Sequence, residues 1–522
     1  SVGVRWIMKG CVEKMDFERV TPESVGISSK SILEFLDELY RYGIEMHSFM
    51  LLRHGKVCAE GWWKPYTPAS PHIMFSFSKS LTSTAIGFAE QEGLLSLDDR
   101  LVDIFPEKVP ENPGENLKKA TVRHLLMMGC GHESEIPNMG IDDPDWISAF
   151  LAHPFVYEPG TKFMYNTAGT NLLCAILKRK TGKHLTEFLR PRLIEPLGMS
   201  DIRCQALPDG TEMGGAGYSL TTEDMARFIQ FVANQGQWEG KQLLRKEWFQ
   251  AATSKQIENR GVGWGGDPDW QQGYCFQFWR CEPRGVFRGD GAFGQYGIVF
   301  TEQDAVLVIT SASMRLQAVL TSVWEKLLPG MQAEPLPEDR MNCHVLAHRL
   351  RNLELTPMLG MRNPGAEESL NGAIYLPNAP TPSLTDLIGG IGKFQPDGGT
   401  LQELHLIFAG NSDVRLQCVQ DNGCCELKIG MEGHHVLTQL DGVLYGAIGR
   451  WRAVDKLELE LRNTRMAGGK RFVLQFQGDK LILNADSTIP EAGGLADPLT
   501  PEYSFTLKAG DVNTKTKMYW EK

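Results

Sequence analysis

Four consecutive residues, Ser76-Phe77-Ser78-Lys79, carry the sharpest chemical signal in the chain and form its only Ser-x-x-Lys. The stretch that follows, LTSTAIGFAEQEGLLSLDD, is compatible with a helix. Ser76 then starts that helix and Lys79 lies one turn later, with the ammonium beside the hydroxyl and the hydroxyl at the positive helix end. A serine hydroxyl is a poor nucleophile until a neighbouring base takes its proton. A lysine in an apolar pocket, flanked here by Phe75 and Phe77, has its pKa lowered and can share that task. Standing alone, the same four residues also describe a helix N-terminus with capping serines and a solvated lysine. Other chemistries fail outright: the chain has no GxSxG elbow, no HExxH helix and no Walker loop. Gly389-Gly390-Ile391-Gly392 lacks the last glycine of a dinucleotide fingerprint and reads as a turn. His434-His435 has no companion ligands and reads as a surface pair. His132 and Glu133 read equally as substrate contacts and as loop residues, and Trp62, Trp63 and Tyr66 as core or domain-contact residues.

The surroundings of Ser76 add a family resemblance. HSFMLLRHGKVCAEGWW, MFSFSKSLTSTAIGFAEQEGLLSLDDRLVDIFPE, TVRHLLMMGCG, EPGTKFMYNTAGTNLLCAILKRKTG with IEPLGM, and GGAGYSLTTEDMARF occur in one unbroken order over about residues 20–328. In that layout the chain resembles the serine β-lactamase-like superfamily, in particular the class C branch with its penicillin-binding-protein-like esterases and D-aminopeptidases. The resemblance implies an antiparallel sheet flanked by helices, a helical subdomain, and a site in the cleft between them. It makes Ser76 the acylated nucleophile, Lys79 its proton partner and Tyr165 the phenol that shares base duty and returns a proton to the leaving group. A phenol beside an ammonium is expected to have its anion favoured. Two positions depart from the family pattern. Thr167 stands where Asn is usual in Tyr-x-Asn, with Asn166 one place early, and a Thr supplies only part of the Asn hydrogen bonding. The third motif aligns with Gly289-Asp290-Gly291, so its basic residue is missing. What remains is backbone: the amides of Ser76 and Ala292 as oxyanion hole, with Gly291 permitting the close approach. Arg288 and Gln295 are candidates to replace the lost polar contact, which together with Asn166 and Thr167 completes the expected substrate-binding set.

The implied function is a serine hydrolase cleaving a small-molecule ester, amide or peptide through an acyl-enzyme on Ser76, with no metal and no organic cofactor. A D-amino-acid-type peptidase is the alternative within the superfamily. A penicillin-recognising or other ligand-binding protein with little turnover is the alternative outside catalysis. The missing third-motif base argues against efficient β-lactam hydrolysis.

These residues need elements to hold them. Ser48–Arg53 and Lys56–Trp62 are β-rich runs around His54-Gly55 and read as a hairpin. Thr121 caps an apolar helical stretch through Met128. Thr221 with Asp224 resembles a capping box, behind which Met225, Phe228, Ile229 and Val232 share a helical face and Gly236 suits the stop. Gly294–Phe300 and Ala305–Ser311 read as two strands joined by a polar turn. The α/β domain is assigned to residues 16–330 and a linker with a short helical run to 331–350. From there to residue 522 period-2 patterning dominates: Leu457, Leu459 and Leu461 alternate with charged residues, and Phe472, Leu474 and Phe476 repeat the alternation before Gly478-Asp479. This predicts a C-terminal antiparallel all-β domain, a lipocalin-like barrel or a sandwich.

Composition sets the outer bounds. The 522 residues are 42% hydrophobic and 22% charged, enough for large cores and more than one domain. A net charge of −11 opposes nucleic-acid or anionic-membrane partners, and no run is long and apolar enough for a membrane span. Eleven scattered cysteines without a CxxC fit a reducing cytoplasm, and Met8 or Met15 is the expected natural start. Oligomeric state is not readable from the sequence.

Overall fold

The computed structural model describes residues 16–200, 202–262, 266–410, 412–495 and 502–509; Met8, Cys11 and Met15 lie outside them. The central sheet has six strands, β1 (Met46–Arg53), β2 (Lys56–Trp62), β3 (Trp279–Arg280), β4 (Val286–Gly291), β5 (Gln295–Phe300) and β6 (Ala305–Ser311). All neighbours are antiparallel, in the order β2-β1-β6-β5-β4-β3. The β1–β2 turn puts His54 at φ 51 and Gly55 at φ 73, the paired left-handed residues that a two-residue hairpin with matching twist requires. Strands β1, β5 and β6 are buried at every position because helices cover both faces. Helix α4 (Thr222–Ala233) packs on β1, β5 and β6. On the other face Phe35 of α1 (Ser29–Arg41) meets Phe49 of β1 edge to face. Thr221 Oγ1 accepts the Asp224 N–H as expected, but the Asp224 carboxylate turns to Ser200 rather than closing a capping box.

The segment between β2 and β3 contains the helical subdomain. Its two longest helices near the cleft, α2 (Ser78–Gln91) and α3 (Thr167–Thr181), pack side by side and are buried along most of their length. Helix α5 (Arg340–Arg351) lies on α1, with Leu346 in the first core and Arg349 paired to Asp37.

The C-terminal strands form one sheet of ten: β7 (Ile374–Pro377), β8 (Leu401–Phe408), β9 (Val414–Gln420), β10 (Gly423–Ile429), β11 (Val436–Leu440), β12 (Val443–Ala453), β13 (Lys456–Asn463), β14 (Lys470–Gln477), β15 (Lys480–Ser487) and β16 (Glu502–Leu507). The order is β10-β9-β8-β7-β16-β15-β14-β13-β12-β11. The two ends nearly meet: Gly430 N–H donates to Ala447 O at 3.1 Å, and Gly449 N–H donates to Gly430 O at 2.8 Å. Of the two expected architectures, the barrel is the one found. Leu457, Leu459, Leu461, Phe472, Leu474 and Phe476 fill its interior. The charged residues between the β13 leucines are buried as well: Glu458 pairs with Arg450 of β12, and Glu460 with Arg462, which reaches Glu45 ahead of β1. His435, expected at the surface, also has a buried side chain there.

Candidate active site

Ser76 sits in a single tight helical turn, Phe75–Phe77, that runs directly into α2. Phe75 is held at φ 47, a conformation costly for a side chain of its size. The turn is pinned from both sides. Met74 N–H donates to Tyr218 O and Ile73 N–H to Arg465 O, while Ser78 Oγ accepts the Tyr218 N–H. Strand β4 passes so close that a Cβ on Gly291 would stand 2.1 Å from the Met74 carbonyl oxygen. Glycine at 291 is therefore a steric requirement, and it brings Ala292 to the same cleft as Ser76.

Lys79 is fully buried. Its Nζ lies 2.9 Å from Ser76 Oγ, 3.1 Å from Thr167 Oγ1 and 2.7 Å from the Gly215 carbonyl oxygen. Burial pushes the ammonium down, to about 7, against the upward pull of Glu135 and Asp290. The Tyr165 hydroxyl hydrogen-bonds Ser76, and Lys79 Nζ stands 4.7 Å over the Tyr165 ring. The expected lowering of the phenol is reversed: burial dominates and drives its pKa well up, with Asp290 and Glu135 adding to the rise. Tyr165 is thus a neutral phenol at ordinary pH, able to relay a proton but not standing ready as an anion.

Thr167 takes over the lysine contact of the missing Asn. Asn166 is occupied elsewhere: its Oδ1 accepts the Gly169 N–H as the cap of α3, and its Nδ2 faces His132 Nδ1 at 3.1 Å. His132 is buried between Phe150 and Phe155, its pKa pushed down to about 3 by burial. Arg288 and Gln295 are neither surface residues nor cleft residues. Arg288 is buried with Asp290 at 2.9 Å. Gln295 donates to the carbonyls of Ala292 and Ser311 and accepts the Ser311 N–H. Both brace the strands behind Ala292. The structure therefore brings together Ser76, Lys79, Tyr165, Thr167, Gly291 and Ala292, and leaves Asn166, Arg288 and Gln295 outside the cleft.

The cleft measures about 630 Å³. Two features of it were not visible in sequence. Glu135 accepts the N–H groups of Thr167 and Ala168 at the start of α3, and burial pushes its carboxyl up. Neither a motif nor a spacing marks it. The second is a wall from the barrel: Ile391, Gly392 and Phe394 line the cleft packed beside Phe75 and Phe293. Gln205 clamps that loop, donating from Nε2 to Gly392 O at 2.8 Å and accepting the Phe394 N–H at 2.9 Å. The GGIG string did contain a turn, but nothing in its text said what the turn faces.

Comparison with known proteins gives the family and the fold. A sequence model of the beta-lactamase family matches residues 32–325. The 6-aminohexanoate-dimer hydrolase of Paenarthrobacter ureafaciens is 26% identical over 287 residues, 51% of this chain and 72% of that protein. The lovastatin esterase of Penicillium rubens is 23% identical over 261 residues, 45% of this chain and 53% of that protein, so the match spans about half its length. A crystal structure from Bacteroides dorei named for the same family superposes with a TM-score of 0.50 at 18% identity, over 58% of this chain and 99% of that one.

Proposed function

The chain belongs to the beta-lactamase family, and from that premise we propose that it is a serine hydrolase that cleaves a small ester or amide through an acyl-enzyme on Ser76. The observation that carries this reading is the hydrogen-bond geometry of Lys79. A neutral amine has two N–H donors and one lone pair. Gly215 O and Thr167 Oγ1 accept the two N–H groups, and the lone pair is left for the proton of Ser76 Oγ. Burial favours that neutral form.

In the proposed reaction Ser76 Oγ attacks the carbonyl carbon while its proton passes to Lys79. The oxyanion lies against the backbone amides of Ser76 and Ala292. The neutral Tyr165 hydroxyl, bonded to Ser76, relays a proton to the leaving oxygen or nitrogen as the acyl-enzyme forms. Water then attacks the acyl-enzyme by the reverse path and releases the acid.

The cleft sets the substrate class. Its described lining residues include Glu133 and Glu135 and no arginine, lysine or histidine. A substrate whose carboxylate must be held meets repulsion there, which disfavours β-lactams and carboxylate-ended peptides. The apolar walls Phe75, Phe163, Phe293, Ile391 and Phe394 favour a neutral substrate with a hydrophobic acyl group. Two similar proteins are named as a 6-aminohexanoate-dimer hydrolase and an esterase, which supports cleavage of an amide or ester and does not bear on the substrate's charge.

Intact-mass spectrometry after treatment with a fluorophosphonate tests the reading. One adduct per chain, lost in Ser76→Ala, is expected. Well-folded protein without an adduct would favour a binding protein instead. Hydrolysis of p-nitrophenyl acyl esters against D-alanyl amides then separates the ester from the peptidase reading.

A further inference from the structure

A chain of buried polar groups crosses from the barrel to the strand just ahead of Ser76. Arg462 on β13 grips Glu45 with Nη1 and Nη2, at 2.7 and 3.2 Å. His47 Nε2 stands 2.9 Å from Glu45 Oε1, and His47 Nδ1 stands 2.8 Å from His72 Nε2. His72 Nδ1 in turn lies 2.8 Å from the carbonyl oxygen of Ile73. Both rings are fully enclosed, and Tyr66 stacks on His47 with centroids 3.7 Å apart.

The ends of this chain are both acceptors. Ile73 O can only accept, so His72 must donate there. Glu45, forked by a guanidinium and held down to about 2 by Arg462 and His47 against its burial, is a carboxylate and also only accepts. Three hydrogen bonds between two acceptor ends need three N–H groups, and two neutral imidazoles supply two. The nearby charges balance without a further proton, Arg462 and Arg471 against Glu45 and Glu460, so that proton rests on the hydrogen-bond count alone. The carboxylates Glu45 and Glu460 face the one buried guanidinium of Arg462, with Nε 2.6 Å from Glu460 Oε1. Arg471 reaches Glu460 at 3.1 Å from a half-exposed position, and His435 Nε2 lies 3.6 Å from it.

We infer that the His47–His72 pair holds one extra proton shared across the seam between barrel and α/β domain, and that this protonated seam positions the strand leading into the Ser76 turn. This rests on the reading of Ser76 as nucleophile. Glu45, His47, His72 and Arg462 are then positioning residues, none of which touches substrate. Burial works against a charge on either ring and pushes both down, and the Arg462 guanidinium adds to this at His47; the Glu45 carboxylate and the two acceptor ends work for it. In the inferred state the three hydrogen bonds win over burial, and the pair keeps its proton until the pH rises past the ordinary imidazole range. When it leaves, one of the three bonds becomes a contact between lone pairs. The seam then loosens at Ile73, whose N–H is held by Arg465 O of the barrel.

The test uses the full-length protein labelled with 15N-histidine, with His47→Gln and His72→Gln spectra assigning the two rings. At about pH 6 one ring of the pair should carry a proton on both nitrogens, and by about pH 9 it should not. Over the same interval the hydrogen-exchange protection of residues 72–74, corrected for intrinsic rates, should fall at least about tenfold. Two neutral rings at about pH 6 overturn the inference. So does protection that stays level while the proton is lost. Should the variants fail to fold, the titration and exchange of the wild-type protein still decide. Neither readout involves catalysis, so a missing Ser76 adduct would sink the hydrolase reading without touching the shared proton.

Discussion

Two cations are buried to a similar depth, Lys79 in the cleft and Arg462 in the seam, and their surroundings push them in opposite directions. Arg462 is bonded directly to two carboxylates and is driven further up despite its burial. Lys79 is bonded to a hydroxyl, a second hydroxyl and a carbonyl. Its nearest acid, Glu135, has an oxygen turned to the first amides of α3, so desolvation wins and the ammonium goes down. Burial alone does not set the charge of a basic side chain; a directly bonded carboxylate does. One cation is held charged between the barrel and the sheet beside it, and the other is pushed toward its neutral form.

The comparison can be broken most severely at Lys79. Lys79→Arg keeps a cation that never gives up its proton, and acylation of Ser76 should fall by roughly 10²–10⁴, read as the rate of adduct formation on folded protein. Arg462→Met leaves Lys79 itself untouched, and in the molecules that fold acylation should fall far less than in Lys79→Arg, only through the placing of the Ser76 turn. It strands two carboxylates in the seam and should cost about 3–5 kcal/mol of stability, read by denaturant unfolding.

Acid provides a milder version of the same break. Glu45 is held at about 2 and Glu460 well below the carboxylate range. Depressed carboxyls contribute stability that is complete above their unfolded pKa of about 4.5 and is lost as the pH falls through the folded value. The melting temperature should therefore drop as pH falls from about 5 toward about 2, and less so in Arg462→Met. The smallest effect is expected at Gln205→Ala, which removes two hydrogen bonds of about 1 kcal/mol each from the cleft wall. The ratio of kcat/KM for long over short acyl esters should shift a few-fold, with little change for acetate.

The sequence carried a great deal of this where the physics is local. Covered on both faces, β1 and β6 carry continuous apolar runs at Phe49–Leu52 and Ala305–Ile309, and the barrel strands alternate because one face lines a core. That Ser76 and Lys79 lie side by side was legible from helix spacing, and that Tyr165 joins them from the family resemblance. What was not legible depends on contacts distant in sequence. Glu135 reaches α3 across a loop, Phe394 lies far along the chain from Ser76, and the burial of Glu460 and Arg462 follows from which face of β13 the α/β portion covers. Asn166, Arg288 and Gln295 were chosen as polar residues near motifs, but polarity does not reveal whether a side chain faces the cleft or braces the strand behind it.

The most direct test is the pH dependence of Ser76 labelling by a fluorophosphonate under second-order conditions. A buried amine beside the Glu135 carboxyl predicts a rate that rises as the pH passes about 7, the neutral form of Lys79 growing as the proton leaves. A rate that climbs only toward about 10, the range of a solvated lysine, or one that does not change with pH, would contradict Lys79 as the base.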